Sequence, residues 1–489
     1  MSQETQLPEL GSVGLIRYGW RQLTSMRTAL ILLMLLGVAA IPGSLIPQRT
    51  QNPIAVSAHF KDYPDISNWM DRFFLFDVYG SPWFSAIYIL LFISLIGCVL
   101  PRTFEHLHAA RALPPATPKR LSRMEFYSTW QANGDELEIA RTWFKSKHFR
   151  VLEKDNSISA EKGFMRETGN LFFHLALILI LLGISFSSLF GMRGEAILNV
   201  GERFVNTPTS YDSLTYGKLF KDGKLVNFII NIDKFTARYN VETNAPEDYT
   251  LNVTLLDGDF SSAQKHVIKV NSPLAIGNIK VYLQANGYSP VVTVRDSKGN
   301  VALQGPIPFL PQDANLRSIG AIKAPDADPP VGFVGSFVPT YARSNGGGAI
   351  SVYPQALDPR LLLSAWSGDL GLDTGIPQSI YRIDTSSMQQ IGLKSLKPGE
   401  SFTYSGGSIT FEGYMKWVNL SIVDDPGKNY ALLGAIVAIL GLLASLFTRR
   451  RRIWIRVGSE IEVAGLAKNA VPGLEQEIAI FINVLKREK

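Results

Sequence analysis

Residues 169–190 read GNLFFHLALILILLGISFSSLF, a stretch without a charge whose polar positions are Asn170, His174 and a few serines. At about 1.5 Å per residue it is long enough, as a helix, to cross a hydrocarbon core of about 30 Å. Three further apolar runs, 29–46, 83–100 and 430–447, are also free of charge and near that length. A soluble chain of 489 residues would hold several globular domains. Four such runs make this one a mixed membrane protein instead. The first run looks like a secretion signal, with Arg21 and Arg27 before it and small residues after it. Its polar lead is long for that, and the topology requires it to be retained, so it reads as an anchor.

The net charge of +6 invites a nucleic-acid partner, but its distribution points to membrane topology. Residues 101–169 hold 12 Lys and Arg, against 3 in 49–82 and 21 in the far longer 191–429, and four arginines stand at 449–452. Positive charge collects on the cytoplasmic side. The expected layout is a multi-pass protein of the plasma membrane with both termini inside. It comprises a cytoplasmic N-terminus (1–27), a first span (28–48), an outer loop (49–82) and a second span (83–101). A cytoplasmic loop (102–168), a third span (169–190), an extracytoplasmic domain (191–429), a fourth span (430–447) and a cytoplasmic tail (448–489) follow. The one cysteine, Cys98, lies within the second span, so no disulfide framework or CxxC motif exists, and it reads as a packing residue.

Between the spans the pattern changes. Pro42, Gly43 and Pro47 close the first span, and Pro101-Arg102 ends the second. The outer loop mixes aromatics with acids, which suits a short interfacial helix or a re-entrant connector. Strands are expected at 125–132 and 150–153, with a helix at 136–149 between them. The tail repeats this with strands at 453–457 and 460–464 and a helix at 475–485. Each piece is small, so the two are expected to pack as one cytoplasmic α+β unit. Segments 228–239, 249–256, 265–270, 279–284, 290–294, 332–338 and 408–414 are rich in β-branched and aromatic residues. Turn residues at 296–300, 344–348 and 405–407 separate several of them, giving a large extracytoplasmic β-rich domain, sandwich or open barrel.

An ionisable group inside a span is a functional candidate. His174 is either a ligand or proton-bearing group, or an imidazole satisfied by a neighbouring helix. Asn170 and Ile178 share its face, and Arg166, Glu167 and Arg102 lie just below it. A neutral imidazole there suits an axial bond to haem iron, with Arg166 and Arg102 pairing the propionates; positive-inside flanking explains the same arginines. A second strong axial ligand is missing from the other spans, Cys98 being a costly thiolate in lipid, so a haem at His174 needs a histidine from another subunit. His106 and His108, two residues apart, read as solvated, and His59, His148 and His266 have no companion at metal-ligand spacing. No Walker phosphate loop, HExxH or GxSxG motif is present, and the eight tryptophans are scattered.

Five stretches resemble one family: Trp20-Arg-Gln-Leu-Thr-Ser-Met-Arg-Thr-Ala29, Gly43-Ser-Leu-Ile-Pro-Gln48, Leu95-Ile-Gly-Cys-Val-Leu-Pro-Arg102, Lys162-Gly-Phe-Met-Arg-Glu-Thr-Gly-Asn-Leu-Phe-Phe-His174 and Asp425-Pro-Gly427. They are similar to the ResB (also CcsB) proteins of System II cytochrome c biogenesis, in all four spans and their order; residues 300–400 carry little of the likeness. The resemblance implies a complex with a ResC or CcsA membrane protein that carries a tryptophan-rich haem-handling segment. Together they would bring haem across the membrane and join its vinyl groups to the CxxCH cysteines of apocytochrome c, a haem-lyase (synthase) activity of the complex in which this chain positions rather than catalyses. It also implies that His174 ligates haem b together with a histidine of the partner, and that a thioredoxin-like protein reduces the apocytochrome thiols. The outer domain would present apocytochrome or dock the partner, with strand addition at a sheet edge as one means. Two other functions fit the residues: a scaffold that braces the partner, and a membrane electron carrier whose b haem is shared between two copies.

Overall fold

The computed structural model describes residues 11–49, 53–131, 134–221, 225–258, 260, 262–344, 346–372, 381–467 and 473–486. Residues 1–10, 468–472 and 487–489 of the terminal segments, residue 132 of the first expected strand, and residue 345 of the turn expected at 344–348, lie outside them. The helices are α1 (Ser12–Leu23), α2 (Met26–Leu45), α3 (Pro53–Asp62), α4 (Pro64–Arg72), α5 (Pro82–Arg111), α6 (Glu136–Ser146), α7 (Met165–Phe190), α8 (Lys428–Phe447) and α9 (Leu474–Lys486). Among them α2, α5, α7 and α8 are long and apolar enough to cross a membrane, with mean hydropathies of 2.2 to 2.4. The chain divides into two compact units, one ending at Ser185 and resuming at Gly427, the other Phe186–Pro426.

In the first unit, α7 and α8 meet through their smallest residues. Gly169, Ala176 and Gly183 are the buried positions of α7; Gly434, Ala438 and Gly441 are those of α8. A Cβ on Gly441 would lie 2.7 Å from the Gly169 carbonyl oxygen and from the Phe173 nitrogen. Lipid offers no hydrophobic drive between helices, so backbone approach and van der Waals contact hold such pairs. Helix α5 runs antiparallel to α7. At one end the Tyr88 hydroxyl donates to the Leu181 carbonyl at 3.0 Å, and at the other His106 Nε2 lies 2.9 Å from Thr168 Oγ1. Interpolating between these contacts brings Cys98 level with His174, and Arg102 level with Asn170 or Leu171.

The second apolar run ends at Leu100, yet α5 continues through Pro101 to Arg111. Proline removes one backbone donor, leaving the Gly97 carbonyl without its usual helical partner. The next ten residues contain no glycine or proline, and His108 and Arg111 suit the negative end of the helix dipole. The connector between α2 and α5 folds on itself through α3 and α4. Buried Gln48 donates to the Ile46 and Leu75 carbonyls and accepts from the Val78 nitrogen, over a fully buried Phe76.

Strands from both ends of the chain build one antiparallel sheet in this unit. Its order is Phe126–Gln131, Glu460–Ala467, Arg451–Val457, Ser157–Lys162 and Arg150–Lys154. Helices α6 and α9 cover it, with Phe481 packed 4.7 Å from the rings of both Trp143 and Phe144. Glu161, 3% exposed, accepts from Arg450 and Arg452, and Arg450 reaches Glu167 of α7 at 2.6 Å. Burial alone would lower the Arg450 guanidinium, but Glu161 and Glu167 outweigh it and hold it above its ordinary value. Phe164 sits at this junction against His106, 4.8 Å away and nearly parallel, with the guanidinium carbons of Arg150 and Arg450 at 5.2 and 5.3 Å from its centre. Gly163 precedes it at φ +91°, against the Arg449 carbonyl, so no side chain fits there.

The second unit is β-rich and has two cores. Its spine is a pair of 18-residue strands, Ile279–Asp296 and Gly407–Asp424, paired along their length. One end of the pair contributes Val281, Leu420 and Ile422 to a core shared with strands Phe228–Tyr239 and Pro246–Asp257. The other contributes Val292, Val294 and Phe411 to a core shared with Val331–Val338 and Arg360–Ser367. The segments expected at 279–284 and 290–294 are thus one strand. Asn286-Gly287 looks like a hairpin turn, but Gly287 is extended and lies under the Trp417 ring, which a Cβ would approach to 2.5 Å.

Two substitutions test this packing. Gly441→Leu is expected to force α7 from α8 at a cost of about 1–3 kcal/mol, seen as a lower thermal midpoint in detergent. Glu161→Ala is expected to leave Arg452 half-buried without its carboxylate and Arg450 with Glu167 alone, and to cost about 3 kcal/mol, read by limited proteolysis within 119–162 and 451–467.

Candidate functional site

Three helices build the site. Helix α7 offers Glu167, Asn170, Leu171 and His174, spaced so that they share one face. Helix α5 opposes it with Cys98, Val99, Arg102, Glu105, His106 and Ala109, and Met26 opens α2 beside them. Together they line a cavity of about 580 Å³, within the range of small-molecule sites.

His174 Nδ1 lies 2.7 Å from the backbone carbonyl of Asn170, one turn back in the same helix. A carbonyl oxygen can only accept, so Nδ1 carries a proton, and in the neutral imidazole Nε2 then keeps the lone pair. That is the tautomer in which an imidazole binds a metal, with its other nitrogen fixed by an outer partner. The partner of Nδ1 belongs to α7 itself and not to a neighbouring helix, and no hydrogen bond to Nε2 is formed among the described residues. Among the described residues no cluster of three His, Cys, Asp or Glu stands ready to hold an ion. A metal at His174 would therefore have to arrive already chelated or take its other ligands elsewhere.

Arg102 lies in this cavity with His174. Its Nη1 approaches Met26 Sδ at 3.7 Å, and it makes no ion pair among the described residues. Arg166 is placed differently. It lines a neighbouring cavity of about 330 Å³ with Glu167, Asn170, Ser445 and Arg450. Glu167 and Asn170 border both cavities, and Glu167 is held by Arg450. Cys98, read as packing, lines the His174 cavity, and its thiol donates to the Leu95 carbonyl of its own helix at 3.4 Å.

His106 is the residue the sequence reading passed over. It was expected to be solvated, but it bonds to Thr168, stacks on Phe164 and lines the cavity. The signal was present, because α5 carried past Pro101 puts His106 one turn beyond Arg102 on the same face. The other histidines have local roles. His108 Nδ1 bonds the Phe104 carbonyl, His59 bonds Ser67 at 2.7 Å, and His148 takes a positive φ of 59° where α6 ends. His266 sits in strand Ala263–Lys269 opposite Val253.

Comparison with known proteins gives the family. Residues 26–479 match the ResB-like family. Cytochrome c biogenesis protein CcsB of Microcystis aeruginosa is 23% identical over 471 residues, covering 95% of this chain and 94% of its own. CcsB of Crocosphaera subtropica is 22% identical over 503 residues, covering 100% and 99%. Cytochrome c biogenesis protein Ccs1 of Rhodomonas salina is 22% identical, covering 95% and 96%. With four apolar helices, a β-rich unit and a match over most of its length, the chain belongs to the ResB-like family.

Proposed function

We propose that this chain is the haem-handling subunit of a membrane assembly that matures c-type cytochromes. The observation that carries the proposal is His174, its Nδ1 turned to the Asn170 carbonyl, in a cavity shared with Arg102, which makes no ion pair among the described residues. Family membership and relatives named for cytochrome c biogenesis support it. In this reading His174 gives one axial bond to the iron of haem b, and a histidine of a ResC or CcsA partner gives the other. Arg102 pairs with a propionate at the level of Asn170. Arg166, in the neighbouring cavity, serves the same carboxylates only through the shared wall of Glu167 and Asn170. The cargo is presented for thioether formation on the CxxCH cysteines of apocytochrome c, kept reduced by a thioredoxin-like protein. This chain supplies positioning to a haem-lyase complex rather than acid–base groups.

The distribution of Lys and Arg supports placing both termini and the α+β unit in the cytoplasm of a plasma-membrane protein, and the β-rich unit outside. There the β-rich unit presents apocytochrome or docks the partner.

Purified with its partner, the wild-type complex is expected to carry a b-type haem spectrum, and His174→Ala to lose haem by about tenfold or more. Arg102→Ala is expected to lower haem retention while leaving the Soret position unchanged. A wild-type complex without porphyrin would overturn the reading. Unchanged pigment in His174→Ala would leave a bracing subunit, and haem held by this chain alone with reversible quinone turnover would make it an electron carrier.

A further inference from the structure

Helix α1 is amphipathic and leaves most of its apolar side uncovered. Val13, Leu15, Ile16, Tyr18 and Trp20 each expose more than half of their surface, and α1 buries no residue. At about 100° per residue, Val13, Leu15, Ile16, Trp20 and Leu23 fall on one side, and Arg17, Arg21, Tyr18 and Gln22 on the other. Residues 12–27 hold three arginines and no acid. Ser25, extended at φ −82° and ψ 147°, interrupts the helical path, so α1 is not the continuation of α2.

Its last turn sets its depth. Ser94 Oγ of α5 donates to the Leu23 carbonyl at 2.5 Å, and Trp20 and Thr24 lie against Gly97. Gly97 stands five residues, about 7 Å, to the apolar side of Arg102, whose charged head belongs at the level of the lipid headgroups. A helix lying in a membrane surface sinks its apolar face about 5–10 Å into the boundary between headgroups and chains. The depth fixed by α5 matches that.

We infer that α1 lies in the membrane surface with its apolar side in the acyl chains, and that Arg17, Arg21 and Arg27 bind the phosphates of anionic lipids. The charge pattern selects this occupant, because a row of arginines without acids suits a layer of negative headgroups. The inference stands on the four spans and not on haem, so the two can fail separately.

The single native cysteine allows a direct test in the full-length chain. On a Cys98→Ala background, Val13→Cys, Ile16→Cys, Tyr18→Cys and Gln22→Cys each take a spin label, and accessibility to oxygen and to a water-soluble nickel chelate is measured in vesicles. In phosphatidylcholine with about one-third phosphatidylglycerol, positions 13 and 16 are expected to favour oxygen, and 18 and 22 nickel. Arg17→Gln with Arg21→Gln, or vesicles of phosphatidylcholine alone, is expected to reduce the contrast by about half or more. Equal nickel access at all four positions would overturn the inference. So would shielding of 13 and 16 from both reagents, which would mean that protein covers that side. A contrast indifferent to both headgroup charge and the arginines would overturn the lipid assignment.

Discussion

Backbone contact between α7 and α8 is the constraint on which the site rests. Two glycines, Gly169 and Gly441, bring the helices so close that neither tolerates a side chain. Small residues recur every seventh position of α7, at 169, 176 and 183, so one face of that helix is committed to α8 along its length. His174 stands five residues from Gly169, well round the helix, and so belongs to the opposite side. There α5 meets α7 through Tyr88 and His106, and residues of both helices between these contacts line the cavity. A looser α7–α8 seam would let α7 rotate, and the histidine would lose its neighbours.

The lower end of the cavity is tied to the α+β unit through charge. Arg450 connects Glu161 of the sheet with Glu167 of α7, and Phe164 is held between His106 and two guanidinium groups. Such a cluster costs desolvation and is a poor source of stability by itself. What it offers is registry, since Arg450 reaches both carboxylates only when the sheet and α7 are correctly seated. Arg450 and Arg452 are thereby paired, while Arg102 makes no ion pair among the described residues.

Much of this was legible because lipid is an undemanding reader of sequence. A helix that crosses it needs one long uncharged run, and four such runs stand out without any knowledge of packing. His174 stood out for the converse reason, as an ionisable group where solvation fails. The losses were local. Pro101 looked like an end because its missing donor usually stops a helix, and His106 disappeared with the turns beyond it. The bulges near Leu283 and Val291 broke the alternation of strand Ile279–Asp296, and Asn286-Gly287 imitated a hairpin. The amphipathy of α1 was hidden by its shortness and by arginines set among apolar residues. Where Arg166 would point was not readable at all, since it depends on where α8 ends.

The sheet of the α+β unit has an order of assembly written into it. Its second and third strands, Glu460–Ala467 and Arg451–Val457, are the last made, while Phe126–Gln131 and Ser157–Lys162 on either side of them are made some three hundred residues earlier. Until residues 451–467 are made, the early strands have a gap between them and two open edges. Closure of this sheet therefore waits for residues 451–467, and a product terminated before them would carry unpaired edges by which cellular proteases can recognise it.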